Sequence, residues 1–540
     1  MIFPWQVKPV DEALVSALVS AAGLPVYVAR LLALRGVSSA TQARQWLKPE
    51  LDHLHPARLL PDFQAAAGRV LGAIGRREPI LVWGHDDLDG MTATAVLCRL
   101  LDNLRADVRY HIPSRVRDRH GLDPSGVERE LPDGGLVLTV DCGITNIRAV
   151  AAVRQRGVDV VITDHHEVLD ELPPAVASVD PKRPDSEYPY RGLAGVGVAL
   201  KFGFGIAEEA IGIRPREFVS TLPDLMALAV LGTLADRVPL TGENRTLVSV
   251  GMRFLEETRL PAVRAVLDSV GGEGRLTAAK FVAELLPLFA SADGREGVAR
   301  LLSDDADAAR RWVDDLRVRS REWREEAERT FTLAQELVQV GDGILFARSR
   351  EFSLRALGST AARLKERYQL PAVVMGWRGD AWVGECRGMD GVNLIELFKA
   401  LRRYLDDYGG HRKAAGFSLQ DNVVEEFVRQ AELYAHENFA GNVVPERGLQ
   451  ADAVLPIEQF SADLVQLAPF GEGNPEPVFV SEPVRLSRSE AGWVVSSRPE
   501  LALVSGRREL SVQAGQVAVL LYSMDDFGRL TLLDAKPVSG

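Results

Sequence analysis

Val160-Val161-Ile162-Thr163-Asp164-His165-His166-Glu167 is the stretch on which the reading of this chain turns. Its first four residues are apolar or β-branched and predict a buried strand. An acid and two histidines follow at the strand's end, which is where open α/β sheets bind their ligands. The short run is weak alone, because a surface His-His pair beside an acid is common. Three similar places reinforce it. Pro79-Ile80-Leu81-Val82-Trp83 leads into Gly84-His85-Asp86-Asp87-Leu88-Asp89-Gly90, then a predicted helix from Met91 to Leu104. Leu136 to Val140 leads into Asp141-Cys142-Gly143. The apolar segment Leu225 to Leu231 leads into Gly232-Thr233-Leu234-Ala235-Asp236, expected as a fourth strand end.

Helix capping accounts for one acid per helix, since Asp favours the N-cap. It does not account for several acids and three histidines recurring at consecutive strand ends. A shared metal site does. Asp87 and Asp89 alternate along the chain and converge only if a loop turns them together. Carboxylates select hard Mg2+ or Mn2+, and imidazole shifts the preference toward Mn2+. Two such ions stabilise the attacking and leaving oxygens of a phosphoryl transfer. No Ser-His-Asp or Walker-type pattern competes.

Further segments extend the pattern. They are Val28 to Val37, Gly192 to Ala199, Gly242-Glu243-Asn244-Arg245, Gly409-Gly410-His411-Arg412-Lys413-Ala414-Ala415-Gly416-Phe417, and Pro469-Phe470-Gly471-Glu472-Gly473-Asn474-Pro475. In this order, over nearly the whole chain, the motifs resemble the DHH-superfamily phosphoesterases, and within them the RecJ single-strand exonuclease branch. The resemblance implies that Asp87, Asp89, Asp141, His165 and Asp236 are metal ligands, with Asp141 bridging two ions. It implies that His166 touches the scissile phosphate and that Asp164 orients its neighbours. Arg115, Arg387, Gly409, Gly410, His411, Arg412 and Lys413 would bind substrate. The implied substrate is single-stranded nucleic acid, DNA ahead of RNA, cut 5′→3′ in repair and recombination. A single-strand-binding protein or a helicase would be the protein partner.

The departures from that family are specific. Its first motif usually reads Asp-x-Asp-x-Asp-Gly; here His85 takes the first acidic position and Asp86 the place of a tyrosine. His85 can still ligate a metal. The family's Arg- and Asn-bearing element is reduced to Pro287-Leu288-Phe289-Ala290-Ser291-Ala292-Asp293-Gly294-Arg295. A Trp-His element has become Phe352 to Ser359 and has lost its histidine. A Ser-x-Arg-Ser element reads Glu385-Cys386-Arg387-Gly388, which puts a carboxylate where the family binds a 5′-phosphate. Ligands are kept better than substrate contacts, as expected of a paralogue with altered end preference.

The chain's 540 residues predict three to four domains. Its 63 basic and 75 acidic residues leave a net charge of −12, which excludes general surface attraction to nucleic acid. A polyanion must enter a locally basic groove near the cations. Cys98, Cys142 and Cys386 have neither disulfide nor zinc spacing and suit a reducing cytoplasm. No transmembrane run and no secretory leader are read, so no membrane partner is expected. The expected fold is α/β: a two-lobed core with a parallel sheet, a long connecting helix, a smaller α/β lobe and an OB-like β-barrel. The boundaries expected are a helical leader over 1–75, the DHH catalytic domain over 76–304, the helix over 305–341, the DHH-associated lobe over 342–440 and the barrel over 441–540. Two other classes remain open: a nanoRNA or cyclic-dinucleotide phosphodiesterase, and a catalytically weak nucleic-acid-binding scaffold.

Overall fold

Alternation along short buried runs builds the first sheet. In β1 (Ile80–Trp83), Ile80 and Val82 join one core while Leu81 and Trp83 join another. β2 (Val108–His111), β3 (Leu136–Val140), β4 (Asp159–Thr163) and β5 (Ala177–Val179) complete a parallel sheet in the order β2-β1-β3-β4-β5. Helices 63–76, 88–103 and 195–211 cover one face, and helices 124–130 and 147–155 the other. Such two-sided cover is what an all-parallel sheet needs. The strand order reverses direction between β1 and β3, so their carboxyl ends frame a crevice. The computed structural model describes residues 5–113, 121–168, 171–270, 276–439, 449–489, 492–505 and 512–538.

The fourth expected strand end is a helix end. Pro223–Ala235 is helical, with proline at its first position, and Asp236 is its C-cap. Every residue from Leu225 to Leu234 is buried. A helix apolar on all sides carries no helical periodicity in its sequence, and so it resembles a buried strand.

The long helix is Ala306–Leu337, about 48 Å at 1.5 Å per residue. Asp305 caps its start by accepting from Ala308 N at 2.9 Å. Ala309, Trp312, Val313 and Leu316 belong to the core of the first lobe, and Phe331 and Ala334 to that of the second. It ends before Val340, because β6 (Gln339–Val340) pairs antiparallel with β7 (Leu345–Ser349). β8 (Ala372–Trp377), β9 (Trp382–Arg387), β10 (Asp407–His411) and β11 (Ala414–Leu419) complete a sheet in the order β10-β11-β9-β8-β7-β6.

The C-terminal strands are β12 (Ala453–Val454), β13 (Val478–Val480), β14 (Val484–Ser489), β15 (Gly492–Val495), β16 (Arg498–Ser505), β17 (Val517–Met524) and β18 (Leu530–Pro537). β14 pairs with β15, β15 with β16, β16 with β18, β18 with β17 and β17 with β14, which closes a five-stranded barrel. Trp493 and Tyr522 lie inside its core rather than on its surface. The N-terminal helices 12–22, 26–34 and 40–47 share that core through Val15, Leu18, Leu31, Leu32 and Trp46.

Arg245 joins barrel, leader and first lobe. It is almost wholly buried, and its guanidinium donates to the carbonyls of Trp46, Gln466, Leu467 and Ala468 at 2.7 to 3.0 Å. The same group lies 4.7 Å from the Trp46 ring. Burial draws its pKa down to about 9, which leaves it charged at neutral pH. The motif Pro469 to Pro475 serves this joint: Asn474 donates to Leu467 O and Pro469 O, and Glu472 O accepts from Leu240 N. Arg245→Met should strand these carbonyls and destabilise the protein by about 2–4 kcal/mol, read as a lower urea midpoint. The barrel should also become sensitive to protease. A variant that unfolds with the wild type would show that the joint is held by apolar packing alone.

Candidate metal and phosphate site

The chain leaves β1 through Gly84, where an added Cβ would lie 2.1 Å from Thr94 Oγ1, so the turn passes close over helix Leu88–Asn103. Asp87 caps that helix, accepting from Gly90 N at 2.9 Å. Asp89, in its first turn, is buried and accepts from Gly195 N at 2.7 Å and Val196 N at 2.9 Å. Those amides open helix Gly195–Ile211, whose N-terminal dipole favours a negative charge. A Cβ at Gly195 would lie 2.5 Å from Asp141 Oδ1, so only glycine allows this approach. Asp141 follows β3 with φ +58°, in the left-handed region that aspartate tolerates.

His165 is the centre of the arrangement. Its Nδ1–H donates to Leu193 O at 3.0 Å, and burial pushes its pKa well below the ordinary histidine range. The neutral ring therefore turns an unprotonated Nε2 toward Asp141 Oδ1, 3.0 Å away, and Asp89 Oδ2, 3.9 Å away. Lone pair faces carboxylate, a contact that a cation between them would turn into coordination. Asp141 Oδ1 and Asp236 Oδ2 are also buried without a hydrogen-bond partner among the described residues. Two donor sets, Asp89-Asp141-His165 and His85-Asp87-Asp141, each lie within 4.8 Å and share Asp141. His85 Nδ1 is 2.9 Å from Asp87 Oδ2 and 3.8 Å from Asp141 Oδ2. Asp236 reaches the cluster from the helix end, with Oδ2 3.6 Å from His165 Nδ1. The oxygen-rich, part-imidazole set fits Mn2+ or Mg2+.

Asp164 plays another part. Burial opposes its charge, but His166, His165 and the Ile144 amide together hold its carboxyl well below the usual range. Its oxygens accept from Ile144 N, His165 N, His166 N and, at 2.7 Å, His166 Nδ1. It thus fixes the orientation of His166. His411, from the second lobe, stacks on His166 with ring centroids 5.0 Å apart and lies 5.1 Å from His165.

The Gly409-Gly410 pair is not a turn. Both residues lie in β10, opposite Gly416 and Ala415, and the hairpin turns at exposed Arg412-Lys413. Gly410 has φ +124°, and a Cβ there would meet Ala414 O at 2.6 Å; above Gly409 the space is open. Lys413 is drawn to Asp390. His411 aligns with Ala414, and Ala414 with Arg387, so Arg387 stands about 10 Å across the sheet from His411. Its guanidinium is held by Glu385 at 3.1 Å and Cys386 O at 2.8 Å. Arg115 falls outside the described residues. Two neighbours escaped sequence reading. Asp180 follows the three-residue β5, too short a run to register as a strand. Lys182, two residues on, places Nζ 3.1 Å from His411 Nδ1.

Burial, and then the charge of Asp87, raises the Asp89 pKa to about 7, against the pull of the two helix amides. Burial and neighbouring carboxylates raise Asp141 and Asp236 well above the usual range. Through these three carboxyls the folded metal-free protein binds more protons than the unfolded chain, and their contribution to stability falls as pH rises. The fall should start above about pH 4, where unfolded aspartates ionise, and continue through pH 7, where Asp89 loses its proton. Mn2+ should raise the melting temperature more at about pH 8 than at about pH 6, because protons compete for the same oxygens. Asp141→Asn should flatten both trends. Melting curves insensitive to pH and Mn2+ would count against a metal at this cluster.

Comparison with known proteins agrees with this geometry. The family model for the DHH family, N-terminal domain, matches residues 79–230, and that for the DHHA1 domain matches residues 341–437. The single-stranded-DNA-specific exonuclease RecJ of Escherichia coli is 30% identical over 489 residues, covering 85% of this chain and 83% of the relative. Its Bacillus subtilis counterpart is 30% identical over 491 residues, and this chain spans 61% of that protein's length. The crystal structure of Thermus thermophilus RecJ in complex with Mn2+ superposes with a TM-score of 0.77 at 24% identity, covering 99% of this chain and 80% of that one. A manganese-bound structure of exonuclease RecJ superposes at 0.58 with 28% identity, over 72% of this chain and 96% of that one. The DHH and DHHA1 matches, with 30% identity to RecJ relatives along most of the sequence, place this chain in the RecJ family.

Proposed function

We propose that this protein is a metal-dependent phosphodiesterase that degrades single-stranded DNA as an exonuclease in repair and recombination. The observation that carries the reading is the contact of His165 Nε2 with Asp141 Oδ1 at 3.0 Å, beneath a histidine supplied by the other lobe. His85, Asp87, Asp89, Asp141, His165 and Asp236 would hold two Mn2+ or Mg2+ ions. Bound there, these supply Lewis acidity and lower the pKa of water. His166, aimed by Asp164, and His411 would contact the scissile phosphate. The half-exposed strip of Gly409, Gly416 and Ala414 would floor the groove, with Arg387, Arg412 and Lys413 along it and Arg115 as a further contact. A single-strand-binding protein or a helicase would supply the unpaired strand. Three buried free cysteines suit a cytoplasmic setting, and no single helix among the described residues is long and apolar enough to cross a membrane.

Labelled single strands of DNA and RNA, cut in Mn2+ and resolved on one gel, test this reading. Product ladders from 5′- and 3′-labelled DNA give polarity, and preferential cleavage of dinucleotides would favour the small-substrate alternative. Chelator should abolish cleavage, and Asp141→Ala should lower it at least about a hundredfold. His85→Asp should retain activity and raise it in Mg2+, whereas His85→Ala should weaken metal binding. Wild-type activity in excess chelator would sink the two-metal reading.

End preference is separately testable. Glu385 neutralises Arg387, so 5′-phosphorylated and 5′-hydroxyl strands should be cut at similar initial rates. Glu385→Ser should free the guanidinium and favour the phosphorylated strand roughly five- to tenfold. A strong wild-type preference for the phosphate would mean that Arg387 is not the end-reading group.

A further inference from the structure

Lys182 lies in the first lobe, in the turn after β5, and His411 ends β10 in the second. Their contact, Nζ to Nδ1 at 3.1 Å, links the two lobes directly above His165 and His166. An ammonium has hydrogens only to give, so His411 Nδ1 must accept. The neutral imidazole then carries its proton on Nε2. Lys182 is itself held in place. Its backbone N donates to Asp180 Oδ1 at 2.7 Å, and Glu167 Oε1 lies 3.8 Å from its Nζ. The next residue, Arg183, anchors the turn to Asp62, Ser178 O and Asp185.

The ring nitrogens of His165, His166 and His411 lie within 4.8 Å, a spacing that would also suit a soft cation. The contact with Lys182 argues against one ion held by all three. His165 Nδ1 is occupied by Leu193 O and His166 Nδ1 by Asp164, which leaves their Nε2 atoms as acceptors, whereas His411 Nδ1 faces a cationic group and its Nε2 keeps a proton that an anion can accept. We propose that Lys182 is a positioning residue that fixes His411 as the Nε2–H tautomer, so that it donates to a phosphate oxygen of the bound strand. The proposal rests on the phosphodiesterase reading above for the identity of the anion, though not for the tautomer. Nothing in the sequence pattern around Asp180-Pro181-Lys182 announces the role, because its partner is 229 residues away.

Two measurements test it. Nitrogen-15 spectra of the imidazoles, recorded without metal or substrate and assigned through His411→Gln, should show His411 protonated at Nε2 alone. In Lys182→Met, a neutral side chain of similar length, the tautomers should mix. A proton on Nδ1 in the wild type would overturn the proposal whatever the enzyme does. On a labelled single strand in Mn2+, Lys182→Met should lower kcat about 10- to 100-fold, with KM moving less than about threefold. Lys182→Arg should restore part of the loss. Glutamine at 411 keeps a donor near Nε2 but offers no Nδ1 acceptor, so adding Lys182→Met to His411→Gln should cost no more than about twofold. Equal losses in both backgrounds would overturn the coupling and make Lys182 an independent contact. Matching melting curves establish that the variants fold, and Lys182→Gln replaces any that does not. A wild type that leaves the strand uncut defeats the phosphodiesterase reading, while the imidazole spectra still decide the Lys182 assignment.

Discussion

Burying several carboxylates against one another is the constraint from which the rest of this structure follows. Asp89 and Asp141 are withdrawn from water and face a histidine lone pair, so the charge of each is costly until something positive arrives. The fold reduces the cost without removing it. Two helix amides accept part of the Asp89 charge, and the left-handed backbone at Asp141 brings its carboxylate beside the opening of the same helix. Gly195 is essential to the second contact, since any side chain there would displace Asp141. What remains unsatisfied, on Asp141 and Asp236, is the part a divalent cation would complete.

Most of this site was legible because a parallel sheet writes its function locally. Each strand is a short apolar run, and its ligands come within a few residues of its end. His85, Asp87, Asp89, Asp141, Asp164, His165 and His166 all follow that rule, and all converge in the crevice between β1 and β3. The closed barrel and the long helix were legible for similar reasons: one from short strands separated by turns, the other from a charged stretch free of glycine and proline. Asp236 joins the cluster from a helix end where a strand end was expected. Its segment is buried on every side, and burial of that kind erases the period that separates helix from strand.

What stayed hidden depends on contacts between distant segments. The leader reads as a unit of its own, yet its apolar faces complete the core of the barrel more than 400 residues later. Arg245 reads as part of a polar motif near the site; its role is to satisfy four carbonyls at a joint between three segments. Lys182 and Asp180 sit beside a strand too short to register, and the partner of Lys182 belongs to the other lobe. In each case the side chain's chemistry was evident and its address was not.

The division into lobes bears on why an unpaired strand suits this cleft. His411 stacks on His166 with centroids 5.0 Å apart, so the second lobe reaches down to the candidate site itself. The helix from Ala306 to Leu337 is anchored in the first core near its start and in the second near its end, which fixes the separation of the lobes over its length. On the proposed reading a duplex would have to part this contact, whereas a single backbone would need only the open space above Gly409. With a net charge of −12 the outer surface offers no general attraction to a polyanion. On the proposed reading, capture would then fall to the few cationic groups inside the cleft, and selectivity would arise from what the passage admits rather than from bases it reads.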